Sequence, residues 1–223
     1  MGKIIGVNNK QYQAYQKAFP KGAHNGAYYY AKEIEENIVP LVKTGRNWDC
    51  LGMKITRHYN HSIVFLHHNL NFSDVYKWLK KYDDLILVAS SWATYGAAKD
   101  AGYKVIYLPL SVDVEYVKQF KKKKTKKACY AGNKWGFKLR DLKELVPEGV
   151  DYPPENLPRD ELLEFIAPYK ECYAVGRCAI EAKILGCKIK VCDSRYPDPK
   201  YWKVLDNKEA AEILQKELDK IDV

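Results

Sequence analysis

No apolar run in this 223-residue chain approaches the roughly 20 residues that a membrane-spanning helix needs, so no membrane span is expected. The apolar fraction itself, 47%, is ordinary for a globular protein. A secretory leader is not expected either. Met1-Gly2-Lys3-Ile4-Ile5-Gly6-Val7-Asn8-Asn9 holds one short apolar run and then turns polar, which reads as a first strand. The Ser or Thr of a myristoylation signal is also missing. Six cysteines are present (Cys50, Cys129, Cys172, Cys178, Cys187 and Cys192), but no two are separated by the two-residue gap of a zinc knuckle or dithiol motif. The expectation is reduced, mostly buried thiols in a cytoplasmic protein. His67 and His68 are adjacent at the end of an expected strand, so they point to opposite faces, and no third ligand stands at suitable spacing. No metal is expected.

Charge is present, but unevenly placed. Lys118, Lys121, Lys122, Lys123, Lys124, Lys126 and Lys127 put seven cations into ten residues, and taking them from the net +9 leaves only +2. The protein therefore has one basic segment and is not basic throughout. Such a run is either a solvated linker or an electrostatic contact for a phosphate backbone or an acidic partner.

Short runs rich in Ile, Val and Leu alternate with helical patterns along the whole chain. Strands are expected at Lys3–Asn8, Ser62–His67, Leu85–Ala89, Lys104–Leu108, Lys127–Ala131, Glu171–Val175 and Lys188–Cys192. Helices are expected near Ala27–Lys43, Ser73–Lys81, Trp92–Ala101, Lys138–Leu145, Arg159–Pro168, Cys178–Leu185 and Asn207–Ile221. Strands without strict alternation indicate burial on both faces, and strand–helix–strand repetition indicates an α/β protein with parallel, Rossmann-like sheets. Gly102 and Gly186 stand where helix C-terminal glycines belong, and Pro158 opens a helix whose Asp160 and Glu161 suit its positive end. The lysine run falls between two groups of α/β units, which places a boundary near residues 115–127. The expected domains are 1–115, 116–206 and a closing helix over 207–223.

In parallel sheets, ligands bind beyond the carboxyl ends of the strands, where loops enter helices. Five loops meet that condition: Asn8 and Asn9 with the Gly22–Gly26 segment carrying His24 and Asn25; His67-His68-Asn69; Ser90-Ser91; Gly132-Asn133-Lys134 with Lys138 and Arg140; and Gly176-Arg177. Gly132 and Gly176 would let backbone amides approach an anion, each with a helix dipole behind it. Lys134, Lys138, Arg140 and Arg177 would add the charge that a diphosphate requires. Glu181 stands in the helix after Gly176. It is either a ribose-binding carboxylate accepting two hydroxyl hydrogen bonds or a surface acid stabilising a helix N-terminus.

Four ordered segments resemble glycosyltransferases of the GT-B fold, in particular the group 1 (family 4-like) enzymes, over roughly residues 104–193. Val105-Ile106-Tyr107-Leu108-Pro109-Leu110-Ser111-Val112-Asp113 resembles their crossover segment, and Cys129-Tyr130-Ala131-Gly132-Asn133 the start of their donor-binding domain. Leu157-Pro158-Arg159-Asp160-Glu161-Leu162-Leu163 is similar to the segment before the last nucleotide-contacting strand, and residues 179–191 to the helix–Gly–strand block with its ribose-binding glutamate. The resemblance implies two Rossmann-like domains facing across a cleft, in a minimal version of the family. It implies that Glu181 binds the donor ribose and that Gly176 and Arg177 lie near the pyrophosphate or sugar. Lys138 would lie near the phosphate-binding lysine. Asn133 stands where many members have arginine, with Lys134 or Arg140 as substitutes. Tyr173, eight positions before Glu181, stands where retaining members carry a second glutamate.

The N-terminal half would supply the acceptor side, with Asn8, Asn25 and Asn69 as sugar or acceptor contacts. His24 or His67 would act as the base of an inverting enzyme. The last helix would pack back on the N-terminal domain. The expected activity is transfer from a nucleoside-diphosphate sugar, with uridine as the nucleoside and no further cofactor. The lysines and tyrosines keep a nucleic-acid acceptor, such as a modified base, within range. A non-catalytic nucleotide-sugar binder and a lysine-rich nucleic-acid adaptor are the alternatives.

Overall fold

A computed structural model describes residues 3–18, 28–31, 38–40, 62–66, 85–131, 145–154, 157–193 and 199–221. The chain divides into two compact units, Met1–Pro109 with Asp206–Val223, and Leu110–Leu205.

The first unit holds two sheets. In one, β1 (Lys3–Gly6), β2 (Tyr28–Ala31) and β3 (Ile38–Pro40) pair antiparallel in that order. In the other, β4 (Ser62–Leu66), β5 (Leu85–Ala89) and β6 (Lys104–Tyr107) pair parallel. All five side chains of β5 are buried, as a parallel strand covered on both faces requires. Helix α1 (Asn9–Ala18) follows β1, and α2 (Trp92–Asp100) makes the right-sized crossover between β5 and β6.

Two expectations fail in this unit. The helix expected over Ala27–Lys43 is replaced by strands β2 and β3. Its apolar spacing is compatible with a helix, but Tyr28-Tyr29-Tyr30 and Ile38-Val39 are residues that favour a pleated surface, and pairing with β1 decides for strand. The first strand accordingly joins an antiparallel sheet and not a parallel one. Helix α1 was not expected; it is strongly polar overall, and none of its residues is buried. The helix expected at Ser73–Lys81, and all but the last residue of that at Lys138–Leu145, lie outside the described residues.

The second unit is built on one parallel sheet, β7 (Lys126–Tyr130), β8 (Tyr169–Tyr173) and β9 (Lys188–Lys190), in sequence order. Short helix α3 (Val114–Lys118) precedes the lysine run, α4 (Arg159–Ile166) leads into β8, and α5 (Gly176–Ile184) connects β8 to β9. The core joins Cys129 and Cys172 of the sheet to Leu163 and Ile166 of α4 and Ile180 and Ala182 of α5. Gly186 ends α5 with φ 87°, and its N–H donates to the Lys183 carbonyl at 2.9 Å. An α/β protein with two small parallel sheets, compatible with Rossmann-like units, is what the structure shows.

The closing helix α6 (Asn207–Asp219) belongs to the first unit. Asp206 and Glu209 form a capping box at its start, and Ala210, Ala211, Leu214 and Leu218 form its buried stripe. Burying Leu214 and Leu218 contributes about 1.5–3 kcal/mol each. The docking onto β1 is also polar. The Ile4 N–H donates to Gln215 Oε1 at 2.7 Å, and Asn207 Nδ2 donates to the Val7 carbonyl at 2.7 Å.

Candidate functional site

The most informative residues gather at the carboxyl end of the second unit's sheet. Strand β8 ends at Tyr173, and the chain passes through Ala174 and Val175 into α5. Gly176 adopts φ 63°, a left-handed conformation that favours glycine, and so turns the chain sharply from strand into helix.

Helix α5 begins against the usual rules. Its N-cap residue is Val175, whose side chain cannot accept a hydrogen bond, and no acid stands in the first turn. Arg177 places a positive charge there instead, at the end of a helix that is already positive. By contrast, α4 carries Asp160 and Glu161 in its first turn. A helix start with no side-chain cap and an added cation is poorly arranged for helix stability and better suited to an anion. Arg177 is exposed and makes no hydrogen bond or ion pair among the described residues.

Glu181 lies further along the same helix and is 2% exposed. It is therefore not a surface acid. Its Oε1 accepts from Arg159 twice, from Nη2 at 3.0 Å and from Nε at 3.1 Å. Oε2 has no partner among the described residues. Burial pushes the carboxyl above its ordinary value of 4.5, while the charges of Arg159 and Arg177 pull it back down. The result is a desolvated carboxyl group with one oxygen held by Arg159 and the other without a partner among the described residues.

Arg159 itself is positioned by two neighbouring elements. Pro158 leads into α4, which puts Arg159 at the first helical position. Its guanidinium lies over the Tyr116 ring of α3, 5.4 Å from the centroid. The Tyr116 hydroxyl donates to Asp160 Oδ1, and burial with that hydrogen bond raises its pKa to about 12. Sequence reasoning did not single out Arg159 as a site residue. A signal existed, because arginine in a helix's first turn opposes the dipole, and Arg159 and Arg177 share that anomaly.

Of the other expected site residues, Asn8 is described and serves as a helix cap. Its Oδ1 accepts from the Gln11 N–H at 2.8 Å, and its own N–H donates to Gln11 Oε1 at 3.0 Å. His24, Asn25, His67, Asn69, Gly132, Asn133, Lys134, Lys138 and Arg140 lie outside the described residues. The structure thus brings Gly176, Arg177 and Glu181 onto one helix and adds Arg159 to them.

The lysine run lies between α3 and the amino end of β7, away from the strand ends that lead to α5. Part of it is tethered. Lys118 pairs with Glu115 at 2.6 Å, Lys124 Nζ donates to the Ala167 carbonyl at 2.8 Å, and Lys126 Nζ to the Tyr169 hydroxyl at 3.2 Å. Lys121, Lys123 and Lys127 stay exposed. Among the described residues no group of acids, histidines and cysteines could hold a metal ion, and no helix is long and apolar enough to cross a membrane.

Compared with protein-family models, with curated proteins and with solved structures, the chain matches none.

Proposed function

We propose that this protein binds a nucleoside-diphosphate sugar, with uridine as the nucleoside, and transfers the sugar as a minimal glycosyltransferase of the GT-B type. The observation that carries the proposal is Glu181, a buried carboxylate with one oxygen unpartnered among the described residues, on a helix whose amino end lacks a side-chain cap and bears Arg177. Spacing along one helix suits the two ends of a nucleoside diphosphate. The free oxygen of Glu181 accepts the ribose hydroxyls, while the α5 amides and Arg177 meet the diphosphate. In the transfer, an acceptor oxygen attacks the anomeric carbon and the bond from that carbon to the diphosphate breaks. The charge developing on the leaving diphosphate is stabilised by the helix amides and Arg177. The acceptor proton passes to a base, for which His24 and His67 remain the candidates.

Calorimetry with uridine diphosphate tests the binding step. Saturable heat, weakened about tenfold or more by Glu181→Ala and by Arg177→Ala, supports it; no heat with the wild-type chain overturns it. Tyr173, where retaining relatives would carry an acid, favours a second reading as a non-catalytic nucleotide-sugar binder. Release of free nucleotide from uridine-diphosphate sugars separates the two. Salt-sensitive DNA binding without nucleotide affinity, lost when Lys121–Lys127 are neutralised, would instead identify a nucleic-acid adaptor.

A further inference from the structure

The first unit carries its own unassigned feature at the carboxyl ends of its parallel strands. Trp92, the first residue of α2, is 55% exposed although it is a large aromatic. It is not a loose side chain. Its indole stacks on Tyr107, the last residue of β6, with centroids 4.0 Å apart and planes 19° from parallel. Tyr95 meets it edge-on at 5.5 Å and meets Tyr107 edge-on at 6.1 Å. Three rings from one helix turn and one strand end thus fix a single indole face toward solvent. Holding the ring in advance removes most of the ordering cost that a mobile tryptophan would add to binding.

The surroundings identify the ligand class. Segments Ala89–Trp92 and Tyr107–Pro109, described parts of this strand-end surface, contain no charged residue. They contain hydroxyls. Ser90 Oγ donates to the Leu66 carbonyl at 3.2 Å, and Ser91 caps α2 through the Thr94 N–H at 3.2 Å. Lys99 lies 5.9 Å from the Tyr95 centroid, one turn further along α2 and away from the strand ends. A nucleic-acid strand stacked on Trp92 would need cations for its phosphates, and the described residues of this surface present none. A neutral pyranose needs none. Its C–H face packs on the electron-rich indole, and its hydroxyls find the polar rim and the indole Nε1–H, which has no partner among the described residues.

We infer that Trp92, backed by Tyr107 and Tyr95, is the stacking platform of a binding site for a neutral pyranose ring. That this sugar is the acceptor of the transfer rests on the proposed function; that the platform binds a neutral sugar does not. The identity of the acceptor then narrows to a glycan or glycoside, in place of a nucleic-acid base.

The test uses the full chain labelled with nitrogen-15, in which the five tryptophans give separate indole N–H signals and Trp92→Phe assigns one of them. The probes are methyl β-glucopyranoside, methyl β-galactopyranoside, a short oligothymidylate and uridine diphosphate. A saturable millimolar shift of the Trp92 signal with a glycoside is expected. Trp92→Ala should weaken glycoside binding at least about fivefold, read by saturation transfer to the ligand, with Trp92→Phe between the two. Because Trp92 is exposed, unchanged signals from the other four indoles will show that the variants fold. A shift with oligothymidylate alone, or with none of the probes, overturns the inference. Glycoside binding in a chain that gives no heat with uridine diphosphate would leave the platform standing and remove the transferase reading.

Discussion

Arg159 and Glu181 stand 22 residues apart in sequence, yet both guanidinium contacts fall on the same carboxylate oxygen, at 3.0 and 3.1 Å. A pair serving stability alone would more often be bidentate, with each oxygen matched to its own nitrogen. Here the arginine fixes the carboxylate, and Oε2 has no partner among the described residues. Arg159→Ala removes the one ion-pair partner that a buried acid has among the described residues. It should destabilise the second unit by about 2 kcal/mol at neutral pH, short of a fully buried pair because the Arg159 side chain is 34% exposed. Urea denaturation measures the loss, which should shrink as acid protonates Glu181. An undiminished loss in acid would contradict the pairing.

Glu181→Gln should change how stability depends on pH. A carboxyl raised above 4.5 binds its proton more tightly in the folded chain than in the unfolded one. Folded stability therefore falls as pH rises from 4.5 through the folded value, and the glutamine variant lacks that fall. The urea midpoint of Glu181→Gln relative to wild type should climb with pH across this window. A difference that stays flat would mean that the carboxyl is not raised.

Gly6→Ala should be among the most damaging single changes in the first unit. A Cβ at Gly6 would lie 1.9 Å from the Asn207 carbonyl oxygen, and backbone cannot rotate away as a side chain can. The expected cost is more than about 2 kcal/mol, because α6 must shift off β1. Thermal unfolding measures it. An unchanged melting temperature would mean that the helix does not approach β1 so closely.

Gly176→Ala tests backbone conformation separately from space. Among the described residues only Leu110 Cδ1 would come near a Cβ there, at an ordinary 3.8 Å, so the penalty is that of φ 63° itself, about 1–2 kcal/mol. Gly176→Asn should cost less, since asparagine tolerates the left-handed region. Equal losses from the two variants in urea denaturation would point to crowding instead.

The thiols offer a test of packing. Burial pushes Cys192 up to about 12 and raises Cys187, and a hydrogen bond with Cys129 together with burial raises Cys172, so little thiolate exists near neutral pH. Labelling of these three with a disulfide reagent should be slow in the native chain and fast in urea, with mass spectrometry locating each adduct. Rapid native labelling of Cys192 would show that its strand end is open.

Local sequence was enough to determine that this is an α/β chain with parallel sheets. Runs such as Leu85–Ala89, and a glycine at 186 that ends a helix, act within a few residues of themselves. It also determined that Gly176, Arg177 and Glu181 share one strand-to-helix segment, since a helix follows from its own window. Other features needed the tertiary structure. Residues 28–31 and 38–40 are compatible with a helix until β1 offers its hydrogen-bonding edge, and pairing between distant strands has no local signature. The Arg159–Glu181 contact and the Trp92–Tyr107 stack each join different elements. Only packing determines that both arginine contacts fall on one oxygen of a buried carboxylate, or that a surface tryptophan is stacked in place.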